Sequence, residues 1–227
     1  MKHKIITFGE LMLRLSPDNN ERFTQAHSYE AVYGGGEANT AVSLANFNVD
    51  TRYVTKLPKH TIGQSAVNSL RQYGVDVSRI VRGGDQIGIY FLEKKTSQRP
   101  TNVIYNRNGS AFALATKEDF DWDSIFDGAT WFHFSGITPA ISDNMAEITI
   151  EACKEAKKRG ITVSCDLNYR SKLWSSEKAN KVMSEVCRYV DICIANEDDA
   201  VGIFGMDASK SDKEKNAYIA EELTKMF

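Results

Sequence analysis

Short apolar runs alternate with amphipathic helical periods through most of the chain, and this rhythm predicts an α/β fold. Residues 4–8 are β-rich and halt at Gly9-Glu10, as a buried strand emptying into a polar turn would. Leu11, Leu13 and Leu15 alternate with Met12, Arg14 and Ser16, which predicts a second, half-exposed strand before the turn residues Pro17-Asp18-Asn19-Asn20. Ala38, Ala41, Val42 and Ala45 recur at helical spacing behind three consecutive glycines, giving a helix over 37–47. A strand at 51–56 and a helix at 62–73 follow. The character then changes: residues 86–95 and 101–107 read as two strands of a hairpin inserted into the helix-and-strand series. With the pieces near 11–16 and 22–33, the hairpin is expected to form a small separate sheet, a cover standing off the main body. After it come strands at 130–134, 161–165 and 191–195, with helices opening at Ser142-Asp143, at Ser176 and at Glu197. Their strands are nearly all apolar rather than alternating, which indicates a parallel sheet covered on both faces.

Composition narrows the class. At 227 residues the chain is long enough for one large domain with a well-buried core or for two small ones, and a single domain, 1–227, is expected. A 42% hydrophobic share is that of an ordinary soluble protein. A net charge of −2 argues against a nucleic-acid partner. Cys153, Cys165, Cys187 and Cys193 include no C-x-x-C pair, so they read as core thiols of a reducing compartment. No apolar run is long enough to span a bilayer, and a cytoplasmic location is expected.

The glycine run Gly34-Gly35-Gly36 is where chemistry first shows. Glycine costs stability, and what it offers is backbone able to take positive φ with no side chain in a ligand's way. A helix N-terminus follows directly, suited to oxygen-rich or anionic ligands. In an open parallel sheet, ligands bind beyond the carboxyl ends of the strands. Those ends carry Gly9-Glu10, Ser135-Gly136-Ile137-Thr138, Asp166-Leu167-Asn168-Tyr169-Arg170 and Asn196-Glu197-Asp198-Asp199. Arg170 could fork onto a carboxylate or phosphate, or form a surface ion pair. Tyr105 and Arg107 are expected on one face of the second hairpin strand, with Tyr90 reaching that face from the first. Phosphate loops of the G-x-x-x-x-G-K-[ST] kind, the G-x-G-x-x-G spacing and the G-x-S-x-G elbow do not occur. His3, His27, His60 and His133 have no metal-ligand spacing, and His133 reads as a satisfied core residue.

Gly9-Glu10, the Gly34-to-Ala41 run, the inserted hairpin and Asn196 in an N-x-x-acid turn together resemble the ribokinase-like (PfkB) carbohydrate kinases. Within that family, Tyr90, Tyr105-Asn106-Arg107, Ser135 to Ala140 and Asp166-x-Asn168-x-Arg170-x-x-Leu173-Trp174 resemble the 2-keto-3-deoxygluconate kinases. The resemblance implies a three-layer α/β/α fold with a mostly parallel central sheet and a β-sheet lid from about 11–35 and 86–108. It implies ATP-dependent phosphorylation of a sugar acid, 2-keto-3-deoxygluconate to its 6-phosphate, with ATP and Mg²⁺ as cofactors and a homodimer formed through the lid. Gly34, Gly35, Gly36, Asn39, Tyr90, Tyr105, Arg107, Ile137 and Arg170 would bind substrate. Asn168, Arg170 and Asn196 would face the nucleotide's phosphates, and Asp199 would act indirectly on the metal. Family members carry glutamate where this chain has Asp199. Ribokinases and fructokinases carry an aspartate where it has Arg14, an exchange that fits an acidic sugar.

The late G-A-G-D segment, in which these kinases place their catalytic base, does not occur in the sequence. The expectation is therefore a C-terminally incomplete kinase domain without turnover of its own. The alternatives are a non-catalytic sugar-acid-binding module and a fructokinase or ribokinase acting on a neutral sugar.

Overall fold

A computed structural model of the chain describes residues 3–207 and 212–227. In chain order it contains β1 (Lys4–Phe8), β2 (Met12–Pro17), β3 (Tyr29–Gly34), α1 (Gly36–Asn46), β4 (Asp50–Val54), β5 (Lys56–Leu57) and α2 (Thr61–Arg71). Next are β6 (Val81–Arg82), β7 (Ile89–Glu93), β8 (Asn102–Asn106), α3 (Trp122–Ile125), β9 (Trp131–Ser135), α4 (Ile137–Ala140) and α5 (Asp143–Lys158). The series closes with β10 (Thr162–Asp166), α6 (Ser176–Cys187), β11 (Ile192–Ile194), α7 (Glu197–Phe204) and α8 (Asp212–Met226). Two compact units result, one from the first eight residues with Thr116–Phe227, the other from Gly9–Ala115.

In the first unit, strands β11, β10, β9 and β1 lie side by side in that order, all parallel. Phe132 and Phe134, with their register partners Val163 and Cys165, are fully buried on one face of this sheet, while Trp131, His133 and Thr162 on the other face are half-buried. Phe8, Phe120, Trp122, Phe126, Phe132 and Phe134 build an aromatic core with ring centroids 5.2–6.4 Å apart, in stacked, tilted and edge-on pairs. Helix α5 starts where Ser142 accepts the Met145 N–H, and it buries the predicted stripe Met145, Ile148, Ala152 and Ala156. Gly160 follows it at φ +67, a left-handed turn that ends the helix. His133 is satisfied by the Ser164 hydroxyl at 2.9 Å. Cys153, Cys165 and Cys187 are buried and Cys193 is exposed, all four as free thiols. Burial raises Cys153, Cys165 and Cys187, the last to about 12. Partial desolvation of its sulfur, together with the nearby Asp166 and Asp199 carboxylates, raises the surface Cys193 to about 11, so all four stay protonated near neutrality.

In the second unit, β3, β2, β7 and β8 form a four-stranded sheet in that order. The predicted hairpin is there as antiparallel β7–β8, and β2 joins it in parallel to β7 while pairing antiparallel with β3. Of the piece near 22–33, only the part from Tyr29 on joins the sheet. Leu13, Tyr33 and Ile89 pack against a core of Leu11, Ala38, Ala41, Tyr53, Val67 and Leu70, which fastens the sheet to α1, α2 and β4. The register places Val32, Arg14, Tyr90 and Tyr105 in one cross-strand row. The next row, Ala31, Leu15, Phe91 and Ile104, points to the opposite face.

Candidate functional site

The glycine run joins β3 to α1. Gly35 is the N-cap and Gly36 the first helical residue. None of the three adopts positive φ, which corrects the expectation that they were needed for left-handed backbone: Gly35 sits at φ −173, ordinary extended backbone. What Gly35 permits is close approach, because a Cβ there would overlap the Glu10 carbonyl oxygen. A Cβ on Gly34 would stand 3.8 Å from Asn39 Oδ1 and 3.9 Å from the Tyr90 hydroxyl, while one on Gly36 would meet nothing within 4 Å. These two glycines leave open space above the backbone rather than a tight turn.

That space is a hollow of about 340 Å³. Gly34, Gly35, Gly36, Asn39, Tyr90 and Tyr105 line it together with Met12, Arg14, Val32 and Tyr33. The two phenols stack across β7 and β8 with centroids 5.8 Å apart, a wall with an apolar body and two hydroxyl tips. Backbone, one amide, phenols and a guanidinium make a lining able to bind a small, hydroxylated, anionic molecule.

Arg107 does not share this lining. Sequence alternation put it on the same strand face as Tyr105, but β8 ends at Asn106 and the Arg107 side chain is buried against Glu10 as an ion pair. Glu10 also accepts from the Ser110 hydroxyl at 2.5 Å. Burial pushes the Glu10 carboxyl above its ordinary pKa, with Arg107 and Ser110 pulling the other way. Sequence reasoning assigned Glu10 no role beyond its place in the Gly9-Glu10 turn. Nor did it single out Glu37, a buried acid in the first turn of α1 whose carboxylate stands where a Cβ on Gly9 would go. A carboxylate directly after a strand-ending glycine was the available signal for Glu10, and nothing marked Glu37.

The remaining predicted residues belong to the other unit. Ile137 opens α4 with its N–H donating to Ser135 Oγ at 3.3 Å. Asn168 takes φ +40 in the turn after β10, where an Asn is better tolerated than most side chains. Arg170 is exposed, and its guanidinium donates only weakly to the Tyr169 carbonyl, at 3.5 Å. Asn196 and Asp199 cap α7 reciprocally: Asn196 Oδ1 accepts the Asp199 N–H at 2.8 Å, and Asp199 Oδ2 accepts the Asn196 N–H at 3.1 Å. Asp199 Oδ1 accepts the Tyr169 N–H at 2.7 Å, tying the turn after β10 to the start of α7. Among the described residues no three His, Cys, Asp or Glu side chains cluster as metal ligands, and no helix is long and apolar enough to cross a membrane.

The family model for pfkB family carbohydrate kinases matches residues 2–226. The chain belongs to the pfkB family of carbohydrate kinases. Among its pfkB relatives, 2-dehydro-3-deoxygalactonokinase of Haloferax volcanii is 37% identical over 209 residues, which is 91% of this chain and 65% of that protein. The 2-dehydro-3-deoxygluconokinase of Bacillus subtilis is 29% identical over 78% of this chain and 55% of its own length. The chain thus spans somewhat under two thirds of these curated relatives. The crystal structure of 2-dehydro-3-deoxygluconokinase from Thermotoga maritima superposes with a TM-score of 0.95 at 49% identity, covering 99% of this chain and 68% of that one. The ribokinase-like α/β fold with a parallel central sheet is the fold of this pfkB chain.

Proposed function

We propose that the chain supplies the sugar-holding part of an ATP-dependent kinase acting on a small sugar acid, 2-keto-3-deoxygluconate or a close epimer, with the 6-phosphate as product. The observation that carries this reading is the single hollow in which the glycine backbone, Asn39, Tyr90 and Tyr105 converge. The names of the relatives, which act on 2-dehydro-3-deoxy sugar acids, support the substrate class.

In this reading the bare backbone at Gly34 and Gly36 lets the polyol lie close. Asn39 offers both a donor and an acceptor to its hydroxyls. The stacked phenols exclude water from one side and hold the sugar in a fixed orientation, which is how binding is converted into rate. When bound, ATP would supply the phosphoryl group and magnesium would offset its charge. Arg170 and Asn168, at the carboxyl end of β10, are the residues here suited to phosphate oxygens, and the exposed Arg170 fork is open to them. Asn196 stands at the head of α7, where anions are favoured. Asp199 fits a directly held metal poorly, because each of its oxygens already accepts a backbone N–H. No step is assigned to it.

Calorimetric titration of the 227-residue chain with 2-keto-3-deoxygluconate, 2-keto-3-deoxygalactonate and fructose tests the reading: the acids should bind more tightly than the neutral ketose. A coupled assay with ATP and magnesium tests the chemistry. The sequence holds no G-A-G-D segment, so the chain is expected to bind without turnover. Robust turnover overturns that expectation, and failure to bind either acid overturns the reading.

A homodimer through the four-stranded sheet belongs to the same proposal. Ile104 and Tyr29 are large apolar side chains left exposed on the face away from the hollow, where Leu15 and Phe91 are also only partly covered. Ile104→Glu should convert a dimer to a monomer in sedimentation, and an unchanged sedimentation coefficient removes the sheet from the interface. The free thiols support a reducing, cytoplasmic setting.

A further inference from the structure

Among the side chains lining the hollow, Arg14 alone carries a formal charge. It lies in the same cross-strand row as Tyr90 and Tyr105, so the register of the sheet points it to the face that holds the phenols. Its present engagement is loose. Nη2 stands 3.8 Å from Glu30 Oε2, beyond hydrogen-bonding distance, and Nε is buried without a hydrogen-bond partner. Glu30 belongs to the adjoining strand β3, two residues from Arg14's register partner Val32, and is held more closely by Lys94 at 3.1 Å. An exposed ion pair at such a distance contributes little. A ligand carboxylate in the hollow meets the outer end of the guanidinium, where Nη1 and Nη2 can donate two parallel hydrogen bonds, while the buried Nε stays out of its reach.

We propose that Arg14 selects an acid over a neutral sugar in this hollow, its guanidinium exchanging the weak contact with Glu30 for a forked one to the ligand's carboxylate. This rests on the sugar-acid reading above and adds to it the residue that makes the choice. Glu30 is then a competitor for the fork, kept in reserve by Lys94, and its charge opposes an incoming anion. Asn39 and the phenols handle hydroxyls and treat acid and neutral sugars alike.

The test is calorimetric titration of the full 227-residue chain and its variants with 2-keto-3-deoxygluconate and with fructose. Arg14→Gln should weaken the acid at least tenfold while changing fructose by less than twofold. Arg14→Lys should recover part of the loss, since the charge returns without the fork. Glu30→Gln should tighten the acid two- to threefold, an effect that a merely structural role for Arg14 would not produce. Should Arg14→Gln fold poorly, as judged by its unliganded melting curve, the Lys and Glu30 variants still decide the matter. Equal weakening of both ligands, or acid binding unchanged within twofold, overturns the role of Arg14 and leaves the sugar-acid reading standing. A wild-type chain that binds no acid overturns both.

Discussion

The two principal sheets of this chain use their side chains in opposite ways. In the parallel sheet, Phe132 and Phe134 are 0% exposed and locked among other rings. In the four-stranded sheet, Ile104 and Tyr105 on the edge strand β8 are each 51% exposed, one on either face. Full enclosure of its ring-bearing face makes the first sheet a source of stability, at roughly 25 cal/mol for every Å² of apolar surface removed from water. The second packs on its apolar core through the partly buried Leu13, Tyr33 and Ile89, and its exposed edge residues remain available to ligands or partners. Stability and recognition are thus carried by different residues, and substitutions should separate them.

The largest separation is expected between Phe132→Ala and Ile104→Ala. Removing a fully enclosed ring from the aromatic cluster should cost about 4 kcal/mol, through lost transfer energy and the cavity left behind. In the unassociated chain, at protein concentrations below the dimer's dissociation constant, truncating the half-exposed Ile104 should cost no more than about 0.5 kcal/mol, as at other exposed positions. Urea denaturation of both variants checks this. Comparable losses would mean that the four-stranded sheet is as tightly enclosed as the parallel one.

Glu10 sharpens the contrast, because it is the point where the recognition sheet does have a buried polar anchor. Its carboxylate joins the end of β8 to the turn after β1 through Arg107 and Ser110. Glu10→Ala would leave a buried guanidinium without its partner, at a cost of about 3 kcal/mol in chemical denaturation. The pH dependence has a definite sign. Burial raises the Glu10 pKa in the folded chain, so the folded state holds that proton to higher pH than the unfolded one. The associated stability is fully present below the ordinary glutamate pKa and is lost as pH rises through the folded value. Glu10→Gln should flatten this part of the stability–pH curve, and an unaltered slope would show that Glu10 does not titrate differently on folding.

The same division explains what could be read from sequence. The parallel sheet was legible because its strands are short, mostly apolar runs and its helices carry clear stripes and caps. Ser142 before Met145 and Asn196 before Asp199 announce α5 and α7 from local chemistry alone. The hairpin β7–β8 was legible from alternation. The parallel pairing of β2 with β7 was not, since it joins segments far apart in sequence with no turn to signal it. In the hollow, Gly34, Gly36, Asn39, Tyr90 and Tyr105 were found because glycines and phenols are conspicuous in an otherwise ordinary chain. Arg107 was placed by strand periodicity one residue past the point where the strand stops. Periodicity also says nothing about a buried ion pair whose partners are about a hundred residues apart, which is why Glu10 went unrecognised as its partner.

The smallest effect tests the recognition side alone. Tyr105 is half exposed and stacks on Tyr90, so Tyr105→Phe keeps the ring contact and removes one hydroxyl from the wall of the hollow. A neutral hydrogen bond to a ligand contributes about 1 kcal/mol, or roughly fivefold in affinity. The variant should therefore bind 2-keto-3-deoxygluconate several-fold more weakly, with the urea midpoint of the unliganded chain unchanged. Tyr90→Phe should behave in the same way but with some loss of stability, because Tyr90 lies on an inner strand between β2 and β8. Should Tyr105→Phe shift the urea midpoint and leave binding untouched, the phenol would be structural, and the division of labour between the two sheets would fail at its most exposed residue.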